Sequence, residues 1–139
     1  DRQAKSQDRL LIVGNTDTIH LGARYEWAAK TMGLTTSVCD DKSAFQANFV
    51  VRQLNWRLRG HRPPRLESFS HQVLEACRAF RPTWMLTIGF APLVEPAIAE
   101  IDRLGITCLN YLTDDPWNPG RRSDWFFKAL PRYHWIFSP

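Results

Sequence analysis

The 139-residue sequence contains only three cysteines, seven glycines and two methionines. Cys39, Cys77 and Cys108 are odd in number, lie far apart and form no CxxC pair. That argues against a disulfide framework or a zinc site, and buried free thiols in a reducing cytoplasm are expected. No apolar run approaches the roughly 20 residues of a transmembrane helix, so no membrane span is expected. Residues 1–8 are polar and lack the apolar centre of a signal peptide. Neither a GxGxxG fingerprint nor a GxxxxGK[ST] phosphate loop is present, which argues against a dinucleotide clamp and a P-loop NTPase. Charge of one sign is also lacking. The net charge is +4, and 14 of the 18 basic residues are arginine. That slight basicity favours an anionic ligand, but it falls short of the field of a dedicated nucleic-acid binder, so nucleic acid is not an expected partner.

What is present is an ordinary globular composition, 44% hydrophobic and 23% charged. It suits one domain with one core. Short apolar runs alternate with helical patterns. Arg9-Leu10-Leu11-Ile12-Val13-Gly14 reads as a buried parallel strand. Leu21, Tyr25, Ala28 and Met32 form one stripe of a helix that Gly33 stops. A second strand covers residues 35–39, and a long helix is expected over residues 43–59, ended by Gly60 and the Pro63-Pro64 pair. Further helices are expected over 67–80, from about Val94 to Leu104, and over 123–130. Strands are expected at 84–89, 106–111 and 135–137. Strands separated by such helices need crossover connections. The expected fold is therefore α/β: a Rossmann-like open parallel sheet of about five strands with helices on both faces. Residues 1–8 would be a tail and residues 9–139 the domain. The missing initiating Met and the stop just past a fifth strand suggest a piece of a longer chain.

In such a sheet, ligands gather beyond the carboxyl ends of the strands. Four loops qualify. The first runs from Gly14 to Gly22, passing Asn15, Asp17 and His20, and ends at a helix N-terminus that attracts anions. His20 there has the chemistry of a general base; the plainer alternative is that Asp17 or Thr18 caps the helix and His20 is a surface residue. Asp40-Asp41 follows the second strand. Gly89-Phe90-Ala91-Pro92 follows the third, where Gly89 lets backbone approach a ligand or makes the turn. The fourth loop, Thr113-Asp114-Asp115-Pro116-Trp117-Asn118-Pro119-Gly120-Arg121-Arg122, is the richest. A carboxylate there could accept a hydroxyl proton or hold a sugar, Trp117 could stack on a sugar face, and Arg121 could meet phosphate; an Asx turn stiffened by Pro116 is the alternative. Arg52, Arg57, Arg59, Arg62 and Arg65 cluster around Trp56 and His61, as an anion surface or as the solvated face of an amphipathic helix. No metal site is expected.

The segment Leu109-Asn110-Tyr111-Leu112-Thr113-Asp114-Asp115-Pro116-Trp117-Asn118, with Ser123-Asp124-Trp125-Phe126 and Trp135-Ile136-Phe137-Ser138 after it, resembles the CgeB-like (spore maturation) glycosyltransferases. The approaches Arg81-Pro82-Thr83-Trp84 and Leu104-Gly105-Ile106 also look like that group's N-terminal half. The resemblance implies the acceptor-side domain of a GT-B enzyme. Such an enzyme moves a sugar from a nucleotide-sugar co-substrate to a hydroxyl acceptor, with no metal or other cofactor, and its donor site lies mostly in a C-terminal domain. His20, Asp114 and Asp115 would then be the candidate catalytic groups, with Asp114 or Asp115 orienting His20. Gly14, Asn15, Asp17, Gly22, Gly89, Phe90, Trp117 and Arg121 would bind substrate. The parent protein would be a cytoplasmic enzyme and the isolated domain inactive.

Three other readings differ on particular residues. A cobalamin site wants Asp-x-His-x-x-Gly, and Asp17-Thr18-Ile19-His20-Leu21-Gly22 has those residues at another spacing. A receiver domain wants an Asp just past its third strand, where Gly89-Phe90 stands. A non-catalytic, ligand- or partner-binding Rossmann-like module remains the alternative.

Overall fold

β1 (Arg9–Gly14) forms because five consecutive residues, Leu10 to Gly14, are buried on both faces of a sheet. The computed structural model describes residues 8–139; the tail expected over the first eight residues lies, apart from Asp8, outside them. β2 (Thr35–Asp40) and β3 (Trp84–Ile88) flank β1, β4 (Thr107–Tyr111) pairs with β3, and β5 (Trp135–Phe137) pairs with β4. All four pairings are parallel, in the order β2-β1-β3-β4-β5. The fold is thus the α/β open parallel sheet that the alternation of strands and helices predicts.

Side chains alternate across each strand and define two layers. Leu10 and Ile12 point to the side of α1 (Leu21–Thr31), meeting Ala29, Tyr25 and Leu86. Leu11 and Val13 point the other way, into the larger cluster that α3 (Leu66–Phe80) and α4 (Glu95–Arg103) build with Phe69, Val73, Ile98 and Ile101. α5 (Asp124–Ala129) packs on α4 and supplies Ala129 to the same layer. Cys39, Cys77 and Cys108 are all free and buried in that layer, as expected, and burial pushes their thiols up to about 11, 12 and 12. Among the described residues no helix is long and apolar enough to cross a membrane.

One element differs from the expected pattern. The helix expected over residues 43–59 is two pieces. A 3-10 turn covers Asp41–Phe45, Gln46 is extended, and α2 runs over Phe49–Leu58. The cause is local capping chemistry. The Asp40 carboxylate accepts from the Lys42 N–H at 2.9 Å and starts the turn, while the Asn48 side chain accepts from the Val51 N–H at 2.9 Å and starts a new helix. Asx side chains that bond to nearby backbone compete with helix continuation. α2 buries none of its residues.

The topology positions the site. β1 leads to α1 on one face, and β3 leads to α4 on the other. The two loops diverge, leaving a crevice beyond the carboxyl ends of β1 and β3.

Candidate functional site

The floor of the crevice needs glycine. A Cβ on Gly14 would stand 3.1 Å from the Ile88 Cβ, and one on Gly22 would stand 2.3 Å from the Asn15 carbonyl oxygen. Gly22 therefore lets the first turn of α1 lie directly on the loop that follows β1. That loop is held by its own polar groups. Asn15 Oδ1 accepts from the Asp17 N–H at 3.0 Å, the Thr16 hydroxyl donates to Asp40 at 3.0 Å, and the His20 N–H donates to the Asp17 carbonyl at 2.8 Å. His20 is the N-cap of α1, with extended backbone and no side-chain cap hydrogen bond. Neither Asp17 nor Thr18 caps the helix. The first amides of α1 thus keep their attraction for an anion, and no acidic residue occupies that first turn.

Asn110 underpins the opposite wall. It is fully buried, and its amide donates to the Thr87 hydroxyl at 2.7 Å and to the Gly89 carbonyl at 3.1 Å. Gly89 sits at φ +63°, and a Cβ there would stand 2.9 Å from the Thr113 Oγ1. β3 and β4 are thereby tied together just under the loop that carries Phe90.

Asn15, His20, Leu21, Gly22, Asp41, Ile88, Gly89, Phe90 and Thr113 line one cleft of about 240 Å³. Five residues named as candidates from sequence meet there: Asn15, His20, Gly22, Gly89 and Phe90. Gly14 forms the floor beneath them through its contact with Ile88. Phe90 also borders a second, larger cleft of about 440 Å³, shared with Phe45, Trp56, His61, Asp114, Arg121 and Trp125. The two spaces are neighbours along the carboxyl edge of the sheet.

The remaining candidates have other partners. Asp17 is exposed and paired with Lys42 at 2.6 Å, and that hydrogen bond lowers its carboxyl from the ordinary value. Asp114 pairs with Arg121 and borders the larger cleft. Asp115 Oδ1 accepts from the Trp117 N–H at 2.9 Å, which is the Asx turn that the sequence offered as an alternative. Trp117 is exposed and meets Phe127 edge-on at 6.3 Å. No hydrogen bond joins His20 to Asp114 or Asp115 among the described residues. The carboxylate sharing the His20 cleft is Asp41.

Asp41 was placed by sequence in a loop facing the ligand edge but was given no role there. Burial, and then the neighbouring Asp40 charge, push its carboxyl up to about 6, while His20 works in the opposite direction. A usable signal was present: β2 lies next to β1, so the carboxylates ending β2 face the loop that ends β1. A raised carboxyl next to a histidine in a cleft is the kind of pair that acid–base chemistry uses. It also has a consequence for stability. An acid whose value is raised on folding contributes most below its unfolded value, here 3.8, and that contribution is lost as pH rises towards about 6. Asp41→Asn should therefore stabilise the protein at pH 7, by about 2 kcal/mol after allowance for solvent, and should have little effect at pH 3.5. Thermal melts of both proteins at the two pH values check this.

A larger cavity of about 1060 Å³ lies away from these residues, between the start of α4 and α5. Its charges largely neutralise one another, Arg62 on Glu67 at 2.6 Å and Arg132 on Glu95. The chemistry therefore favours the smaller cleft.

No family model and no curated protein matches the sequence. Among solved structures, the chain is similar to a "Putative pilus assembly-related protein" from Burkholderia pseudomallei K96243, at 16% identity. The alignment covers 99% of this chain and 82% of that one, with a TM-score of 0.48.

Proposed function

We propose that this chain is the acceptor-side domain of a GT-B, CgeB-like glycosyltransferase. One observation carries the reading: His20 and Asp41 share a cleft at the β1/β3 switch point, beside an uncapped helix N-terminus. A hydroxyl acceptor would enter along the carboxyl edge. Its oxygen attacks the anomeric carbon of the donor, the bond from that carbon to the nucleotide diphosphate breaks, and the acceptor proton passes to His20. The carboxylate of Asp41 stabilises the imidazolium that results. The Asp114–Arg121 pair and the aromatic walls of the adjoining cleft would hold the rest of the acceptor. The Thr113-Asp114-Asp115-Pro116 sequence adds the family resemblance. Most of the donor contacts, on this reading, belong to a C-terminal domain.

The test is made on the natural full-length protein, incubated with a panel of labelled nucleotide-sugars with and without hydroxyl acceptors. Transfer, or slow hydrolysis of one donor, is the expected result. Tight binding of a nucleotide-sugar with neither outcome would replace this reading by that of a non-catalytic binding module, for which the free N-terminus of α1 is the natural anion site.

A further inference from the structure

The cleft that adjoins the His20 cleft has the size of a small-molecule site. Its volume of about 440 Å³ falls within the roughly 300–1,000 Å³ usual for such sites, while the His20 cleft, at about 240 Å³, falls below them. Phe90 borders both, so the two spaces share that wall. Aromatic rings make most of the lining: Phe45 from the 3-10 turn, Trp56 from α2, His61, Phe90, and Trp125 from α5. The lining is held in place. His61 stands at φ +60°, a left-handed backbone that is unfavourable for a residue with a Cβ. Its carbonyl accepts from the Trp125 indole at 3.3 Å, its ring Nδ1 donates to the Arg122 carbonyl at 3.1 Å, and Trp56 stacks on the ring at 4.2 Å. With its N–H bonded to His61, Trp125 offers the cleft apolar surface only.

The one carboxylate and the one guanidinium of this lining, Asp114 and Arg121, pair with each other, and each side chain stays about half exposed. A cationic ligand would have to displace Arg121 from Asp114, and an anionic one Asp114 from Arg121. A hydroxyl donates and accepts at once, so it joins both without parting them. Ring geometry narrows the choice further. Phe90 lies at 32° to Phe126 and Trp125 at 76° to it, so the Phe90 and Trp125 rings are not parallel. They form a bowl and give no slot for a flat aromatic ligand. A pyranose ring is thicker, carries C–H groups that suit the negative faces of aromatic rings, and bears hydroxyls at its edge. We propose that this cleft binds a neutral carbohydrate, its C–H face against the aromatic rings and its hydroxyls on the Asp114–Arg121 pair. The inference rests on the glycosyltransferase reading in taking that sugar to be the acceptor, one hydroxyl of which reaches past Phe90 to His20.

The test is saturation-transfer NMR on the natural full-length protein without donor. The probes are the methyl glycosides of glucose, galactose and mannose, with choline, benzoate and nicotinamide as a cation, an anion and a flat neutral ring. At least one glycoside should bind, and the other three compounds should not. Trp56→Ala and Asp114→Asn should each weaken that glycoside about tenfold, and Phe45→Ala severalfold. Trp56 and Phe45 are exposed, so their variants should keep the wild-type circular dichroism. Phe45 takes no part in holding His61, which keeps the result readable where Trp56→Ala disturbs that loop. Trp27→Ala, at an exposed indole on α1, should bind as wild type does. No glycoside binding, equal binding of choline, benzoate or nicotinamide, or full glycoside binding in all three cleft variants would overturn the proposal. The transferase reading fails separately. A glycoside that binds here and never receives a sugar would end that reading and leave this site standing. A glycoside that receives a sugar with unchanged KM in the three variants would keep the transferase and remove the site.

Discussion

Gly22→Ala should lower the unfolding free energy by about 3 kcal/mol, a large part of the 5–15 kcal/mol typical of a domain. The added methyl would stand 2.3 Å from the Asn15 carbonyl oxygen, a backbone atom with no rotamer to yield. Either α1 moves off β1, which loosens Ala29 from Leu10 and Ile12, or the loop carrying Asp17 and His20 is pushed outward. Urea unfolding should show a lower midpoint at an unchanged slope. Two other glycines serve as references. Gly14→Ala meets only the Ile88 side chain, at 3.1 Å, and should cost less. Gly33→Ala meets nothing within 4 Å, so only its φ of +82° opposes the change, at about 1–2 kcal/mol. If all three cost the same, the close approach at Gly22 is not what holds the loop.

That pattern also shows where sequence reasoning succeeded and where it stopped. β1 was legible because a strand buried on both faces needs an unbroken apolar run, and residues 10–13 provide one. α3 was legible from Phe69, Val73, Ala76 and Phe80 at helical spacing and from Pro82 behind them. The break between the 3-10 turn and α2 was not, because it depends on which way the Asp40 and Asn48 side chains turn, and periodicity does not encode that. The site divides in the same way. His20 and Gly89 were named because they follow strands. Asp41 acquires its character from desolvation and from the Asp40 charge beside it, which exist only once β2 is laid against β1. Asp115 was a candidate by type, and the Asx turn it makes with the Trp117 amide is a matter of geometry.

If His20 takes the acceptor proton, His20→Ala in the full-length protein should lower kcat for sugar transfer by about 10²–10⁴-fold, the usual range for a general base. The substitution should leave the fold intact, because the His20 ring is exposed and caps nothing. Asp41→Asn should produce a smaller fall in kcat and a change in pH dependence. Above about pH 6 the Asp41 carboxyl is charged and favours the imidazolium; below it the group takes up a proton and that support is lost. The wild-type rate should therefore decline as pH falls through about 6, and the Asn variant, already without the charge, should lose that component of the decline. Asp114→Ala should act differently. Asp114 stands at the neighbouring cleft, paired with Arg121, so its removal should raise KM for the acceptor more than it lowers kcat. The KM-against-kcat split decides among the carboxylates. A kcat effect at Asp114 as large as that at His20 would move the base into the larger cleft, and unchanged rates in His20→Ala would end the catalytic assignment of the β1/β3 crevice.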